Sequence, residues 1–173
     1  GPTAATQAIR LDGTNDYVQL PGNTANSSDI TISASVKWDG GNNWQRIFDF
    51  GNGTNSYMFL TPKSGDNTLR FAITKAGYNS EQVLETSALP VGEWVQLTLT
   101  LGGNTGVLYL NGKPQVAGQI LLNPSDIAAT LNYIGKSQFA ADPLFKGSIA
   151  NFQIYNYALT ATQVSNLFYN NGD

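Results

Sequence analysis

The chain has neither cysteine nor histidine among its 173 residues. The first absence removes disulfides, thiolate metal sites and cysteine nucleophiles, and it leaves the redox compartment open. The second removes catalytic triads that need an imidazole and, with thiols also missing, zinc sites. Charge is scarce as well: Asp, Glu, Lys and Arg make up 12%, about half the share common in soluble domains. The net charge is −3, with no cluster of Lys or Arg. Nucleic acid and anionic membrane surfaces are therefore poor partners. No apolar run approaches the length of a membrane span, and no secretory signal pattern opens the chain. Gly1-Pro2 reads as an expression scar and residues 1–7 as a linker or tag remnant. Residues 8–173 are expected to form one domain of a longer protein, since the length suits a single core.

What is plentiful is Gly, Asn and Thr, together with short alternating segments. The clearest runs from Glu93 to Gly112, EWVQLTLTLGGNTGVLYLNG. Val95, Leu97, Leu99 and Leu101 fall on one face, and Gln96, Thr98 and Thr100 on the other. A period of two predicts a strand with one buried and one wet face. Gly102 to Gly106 predicts a reversal, and Asn111-Gly112 is the pair most suited to a type I′ hairpin. Lys113 to Ile120 returns as a third strand, with Pro114 marking an edge or a strand start.

Further strands are expected over Ala8 to Leu11, Tyr17 to Leu20, Ile30 to Trp38, Gln45 to Phe50 and Ser56 to Thr61. Thr68 to Thr74, Gln82 to Glu85, Asn132 to Gly135 and Lys146 to Tyr155 complete the set. In the last, alternation sets Ile149 and Gln153 opposite Phe152 and Ile154. A helical turn is expected after Ser125. One terminal helix is signalled by Thr160 and Gln163 at capping-box spacing, Leu159 and Val164 as a hydrophobic staple, and a Val164, Leu167, Phe168 stripe. About twelve short strands and one short helix predict an all-β, two-sheet antiparallel jelly-roll sandwich.

Several segments resemble the LamG-like (laminin G-like) branch of the concanavalin A-like lectin/glucanase superfamily. They are LDGTNDYV from Leu11, WQRIFDFGNG from Trp44, YMFLTP from Tyr57, LYLNG from Leu108, YIGKSQ from Tyr133 and FKGSI from Phe145. The resemblance implies modules appended to bacterial glycosidases that act on arabinose- and xylose-containing polysaccharides, or domains of surface glycan-uptake proteins. Family members often carry an acidic pair in the last strand. Ala150 and Asn151 stand at those positions here, so a role of those carboxylates near a structural calcium does not carry over.

Sugar recognition needs aromatic faces rimmed by polar groups. Trp44 follows the flexible loop Gly40-Gly41-Asn42-Asn43, and reads either as a stacking residue or as a core lid. Tyr78 and Phe139 are further loop aromatics, and Phe145 reads as core. Arg46 and Asp49 fall on opposite faces of one strand by alternation. They read as hydroxyl-binding groups or as a structural ion pair, with Arg70 as another partner for Asp49. Gln138 and Asp142 would share their rim. Trp38 and Trp94 read as core. Asp12, Asn15 and Asp16 place oxygen donors in one glycine-bearing turn, a candidate structural calcium site or an ordinary turn.

Glycoside hydrolysis needs two carboxylates about 5 to 10 Å apart. No Glu-x-Asp or Asp-x-Glu occurs. Glu81 and Glu85 stand four residues apart, which along a strand separates their backbones by roughly 13 Å. The expectation is therefore a non-catalytic carbohydrate-binding domain of an exported bacterial protein, extracellular, at the cell surface or periplasmic. It would bind polysaccharide or oligosaccharide at the end of the sandwich near Trp44, beside a catalytic or surface-protein domain in the same chain. The alternative is a structural or protein-interaction LamG-like domain, which would bury Trp44 and Tyr78. A glycoside hydrolase is third.

Overall fold

The computed structural model describes residues 7–171, so the linker expected over 1–7 lies outside the described residues except for Gln7. Two six-stranded antiparallel sheets stack as a jelly-roll sandwich. The first sheet is ordered β1 (Ala8–Asp12), β12 (Lys146–Tyr155), β3 (Ile30–Trp38), β8 (Trp94–Gly102), β9 (Thr105–Leu110) and β10 (Lys113–Gln119). The second is ordered β2 (Val18–Leu20), β11 (Leu131–Ile134), β4 (Phe48–Gly51), β5 (Tyr57–Thr61), β6 (Thr68–Thr74) and β7 (Gln82–Ser87). Helices α1 (Pro124–Ile127) and α2 (Ala161–Asn171) and a short 3-10 turn (Tyr78–Ser80) complete the order among the described residues.

The inward positions of β3 alternate as the sequence demands, with Ile30, Ile32, Ala34, Val36 and Trp38 all buried. They meet Phe48, Phe50, Met58 and Leu60 of the second sheet in one cluster. Each buried Val, Leu, Ile, Phe or Met among them stabilises the fold by about 1.5–3 kcal/mol relative to exposure. Asn111 and Gly112 have φ of 51° and 78°, the left-handed pair a type I′ turn requires. The reversal expected over Gly102 to Gly106 is tighter than its composition suggests. Only Gly103 and Asn104 turn, and β9 already begins at Thr105. Gly106 serves there as a strand residue because a Cβ would come within 2.8 Å of Ile120 and 2.9 Å of Leu84.

Three other expectations change. The outer face of β8 is not wet: Gln96, Thr98 and Thr100 are all buried. On that side of the sheet, Tyr109 gathers with Leu159 and Val164 in a second cluster. Thr31 Oγ1 accepts from Leu159 N–H and donates to Tyr157 C=O, fixing this cover to β3. Thr160 and Gln163 form the expected reciprocal cap of α2. In β12, a bulge between Ala150 and Gln153 shifts the register, with Asn151 at φ 52°. The extra residue reverses the parity, so Phe152 and Ile154 pack against the same core as Ile149 instead of opposing it. Trp38 is core, whereas Trp94 is only half-buried at the start of its strand.

Candidate functional site

The second sheet has an unusual outer face. Alternation along β5 turns Met58 and Leu60 into the core, which leaves Tyr57 and Phe59 pointing outward. Both are nonetheless buried, and with Ala72 they form a separate aromatic cluster joined by Trp44, Val83 and Phe139. Loops fold over this face and enclose a basin of about 350 Å³. Its lining includes Trp44, Tyr57, Phe59, Tyr78 and Phe139, with Arg46, Arg70, Asp66, Glu81 and Asp142 between them. The basin therefore lies over a sheet face, not at the end of the sandwich, because its floor is built from β5 and β6.

Trp44 is held in a left-handed backbone conformation, φ 72°. A bulky L-residue adopts this at a cost of about 1–3 kcal/mol, and only where its surroundings impose it. Here its N–H donates to Lys63 C=O at 2.8 Å and its C=O accepts from Arg46 Nη1 at 2.7 Å. The indole meets Phe59 edge-on, centroids 6.4 Å apart. It also packs closely on Gly65, where a Cβ would sit 3.3 Å from indole Cζ2. Sequence reasoning missed the anchor of this loop, Gln45. Its buried Oε1 accepts from Trp38 Nε1 at 3.1 Å and from Lys146 N–H at 3.0 Å, and its Nε2 donates to Gly40 C=O at 3.0 Å. A lone Gln after a Trp carries no sequence signal for that role.

Arg46 and Asp49 do not oppose one another. Residue 47 is a bend and β4 begins only at Phe48, so alternation does not run through Arg46. Arg46 Nε lies 3.1 Å from Asp49 Oδ2 and Nη2 lies 3.0 Å from Asp142 Oδ2. The guanidinium stacks 3.9 Å from the Phe59 centroid. Asp49 lies behind Arg46, fully buried, with Oδ1 unpartnered. Burial pushes its carboxyl up to about 7 against the opposing pull of Arg46.

Arg70 is not a partner of Asp49. Its Nη2 binds Glu81 at 2.7 Å and its Nη1 binds Glu85. Glu81 precedes β7 rather than lying in it, and the two carboxylates converge on one cation despite their backbone separation. Glu81 also accepts from Tyr57 Oη at 2.7 Å. Burial, and then this contact, push the phenol well above its ordinary range.

Of the remaining candidates, Tyr78 stands 68% exposed on a short 3-10 turn, Tyr78–Ser80, at the rim. Phe139 packs edge-on to Tyr57 at 5.6 Å. Asp142 accepts from Ser137 Oγ at 2.9 Å as well as pairing with Arg46. Gln138 is not among the lining residues. Its side chain spans Gly53 N–H and Leu131 C=O, and its N–H donates to Asp49. Phe145 is core.

In the Asp12 turn, carboxylate oxygens act as acceptors for the loop itself. Asp12 Oδ1 accepts from Thr14 and Asn15 N–H, which lowers its pKa, and Asp16 Oδ2 accepts from Asp12 N–H. Asp12 Oδ1 and Asp16 Oδ2 thus hold the turn's own backbone. Among the described residues no three acidic side chains gather as a metal cluster.

A family model described as the concanavalin A-like lectin/glucanases superfamily matches residues 12–165. Comparison with curated proteins finds no match. Among solved structures, domain 4 of a GH43 extracellular arabinanase from Geobacillus stearothermophilus, in complex with arabinotriose, has a TM-score of 0.79 at 23% identity. That match covers 96% of this chain and 79% of that one. The CBM40 of the Ruminococcus gnavus IT-sialidase, bound to alpha2,3 sialyllactose, has a TM-score of 0.78 at 18% identity, covering 94% and 96%. A heptameric pentraxin from Limulus polyphemus has a TM-score of 0.62 at 19% identity, covering 93% and 81%. At these identities the likeness establishes the fold.

Proposed function

The chain belongs to the concanavalin A-like lectin/glucanases superfamily, and from that premise we propose that it is a non-catalytic carbohydrate-binding domain of an exported bacterial protein. One observation carries the reading: Trp44 is pinned in a left-handed conformation above an aromatic floor, at the mouth of an open basin. Backbone strain of this kind concentrates where a side chain must be aimed. Trp44 and Tyr78 supply ring faces for stacking. Asp66 and Asp142 supply acceptors for sugar hydroxyls, and Arg46 fixes the wall between them.

Two similar structures hold oligosaccharides, arabinotriose in one and sialyllactose in the other, which supports a glycan as the ligand class. The exposure of Tyr78 counts against the structural-domain alternative, which needs that ring covered. The hydrolase reading loses support because Glu81, Glu85, Asp49 and Asp142 all hold guanidinium groups. The parent protein would carry a catalytic or surface domain in the same chain and act outside the cell, at its surface or in the periplasm. Isothermal titration against arabinan, xylan and other polysaccharides tests the reading. Saturable heat with at least one is expected, and flat traces throughout contradict it.

A further inference from the structure

We infer that the basin selects neutral glycans and turns away those bearing carboxylates. The inference rests on the carbohydrate-binding reading and adds the charge class of the ligand. The strongest way for a protein to recognise an acidic sugar is a guanidinium fork with both prongs available. The lining contains two guanidinium groups, and each is already paired with two carboxylates. Arg46 spends Nε on Asp49, Nη1 on Trp44 C=O and Nη2 on Asp142. Arg70 gives an Nη2 N–H to Glu81 and an Nη1 N–H to Glu85, so its charge is already matched, and its Nε is buried out of solvent reach. An incoming carboxylate would have to take a guanidinium from an acid it already holds, stranding that acid's charge in a poorly solvated wall.

The local balance points the same way. Three carboxylates line the basin, Asp66, Glu81 and Asp142, with Asp49 behind Arg46 and Glu85 beyond Arg70. Carboxylates outnumber guanidinium groups whether or not Asp49 is ionised. A surface of this kind repels an anion and offers acceptors to hydroxyl donors. Of the two oligosaccharides found in similar structures, it matches neutral arabinotriose and opposes sialyllactose, which carries a carboxylate.

Matched pairs test this by isothermal titration of the intact chain: lactose against sialyllactose, and xylo-oligosaccharides without and with a glucuronic acid branch, with arabinotriose as a further neutral probe. For any pair that binds, the acidic member is expected to be weaker by about tenfold or more at low salt. The gap should narrow at about 1 M NaCl, where the charges are screened, and in Asp66→Asn the acidic member itself should bind more tightly, at an exposed position where the fold should tolerate the change. An acidic member that binds as tightly as its neutral partner, or a gap unmoved by salt and by Asp66→Asn, overturns the inference and leaves the carbohydrate reading standing. Failure of every probe to bind overturns both.

Discussion

Cζ of Arg46 stands 3.9 Å from the centroid of the Phe59 ring, while its nitrogens reach Asp49, Asp142 and the Trp44 carbonyl. One buried cation therefore ties the aromatic floor, the acidic loop and the backbone of the rim tryptophan into a single wall. Arg46→Met keeps the bulk and removes the charge. It should destabilise the fold by about 1–3 kcal/mol, because Asp142 loses its cation and buried Asp49 is left holding a proton without its partner. Urea unfolding monitored by tryptophan fluorescence measures it. A loss below about 1 kcal/mol would mean the network is ornamental.

Asp49 makes that wall pH-sensitive. Its carboxyl is raised from 3.8 to about 7 by burial, so the folded chain holds a proton that the unfolded chain releases between those values. The resulting stability is fully present below about pH 4 and is lost as pH rises through about 7. Relative to Asp49→Asn, wild type should therefore lose stability across this window, by at most about 1.4 kcal/mol per pH unit. Parallel denaturation series of the two proteins give the difference directly. A wild type that gains stability relative to Asp49→Asn as pH rises would reverse the sign and refute the assignment.

Trp44→Gly separates the ring from the backbone that carries it. Glycine accepts φ 72° without strain, so the loop should keep its path while the stacking face disappears. Affinity for any bound glycan is expected to fall about tenfold or more, with the circular dichroism spectrum unchanged. Unaltered affinity would move the binding surface elsewhere.

Tyr78→Ala probes the opposite rim. The side chain is 68% exposed, so stability should change by no more than about 0.5 kcal/mol. Glycan affinity should drop by about threefold or more if the ring stacks. A stability loss with intact affinity would mark Tyr78 as structural.

Much of the sandwich was legible because its signals are local. The nine residues of β3, the Asn111-Gly112 hairpin and the Thr160–Gln163 cap each need only neighbours in sequence to be recognised. The failures share a different cause. A bend at Ile47 and a bulge at Asn151 each interrupt the period of two, and nothing in either tripeptide announces the break. Parity arguments that pass through them place Arg46 and Phe152 on the wrong side. Burial of Gln96, Thr98 and Thr100 depends on a cover that comes from the far end of the chain.

The candidate site divides in the same way. Trp44, Tyr78 and Phe139 were recognisable as loop aromatics, and the structure brings them to one basin. Arg46 and Asp142 reach that basin as a pair joined across ninety-odd residues, a partnership no spacing encodes. Loop position alone puts Gln138 on the rim, yet its amide is consumed by the backbones of Gly53 and Leu131. By its pattern Gln45 is a strand residue, whereas its amide pins the loop beneath Trp44.

The chain has three tryptophans, and their indole N–H signals are separable by heteronuclear NMR. Titration with arabino- or xylo-oligosaccharides follows all three in one sample. Sugar stacking in the basin predicts that the Trp44 signal moves furthest and saturates, while that of Trp38, whose Nε1 is bonded to Gln45 in the core, stays nearly still. Saturating shifts centred on other residues with Trp44 unmoved would contradict it, as would a spectrum that no glycan perturbs.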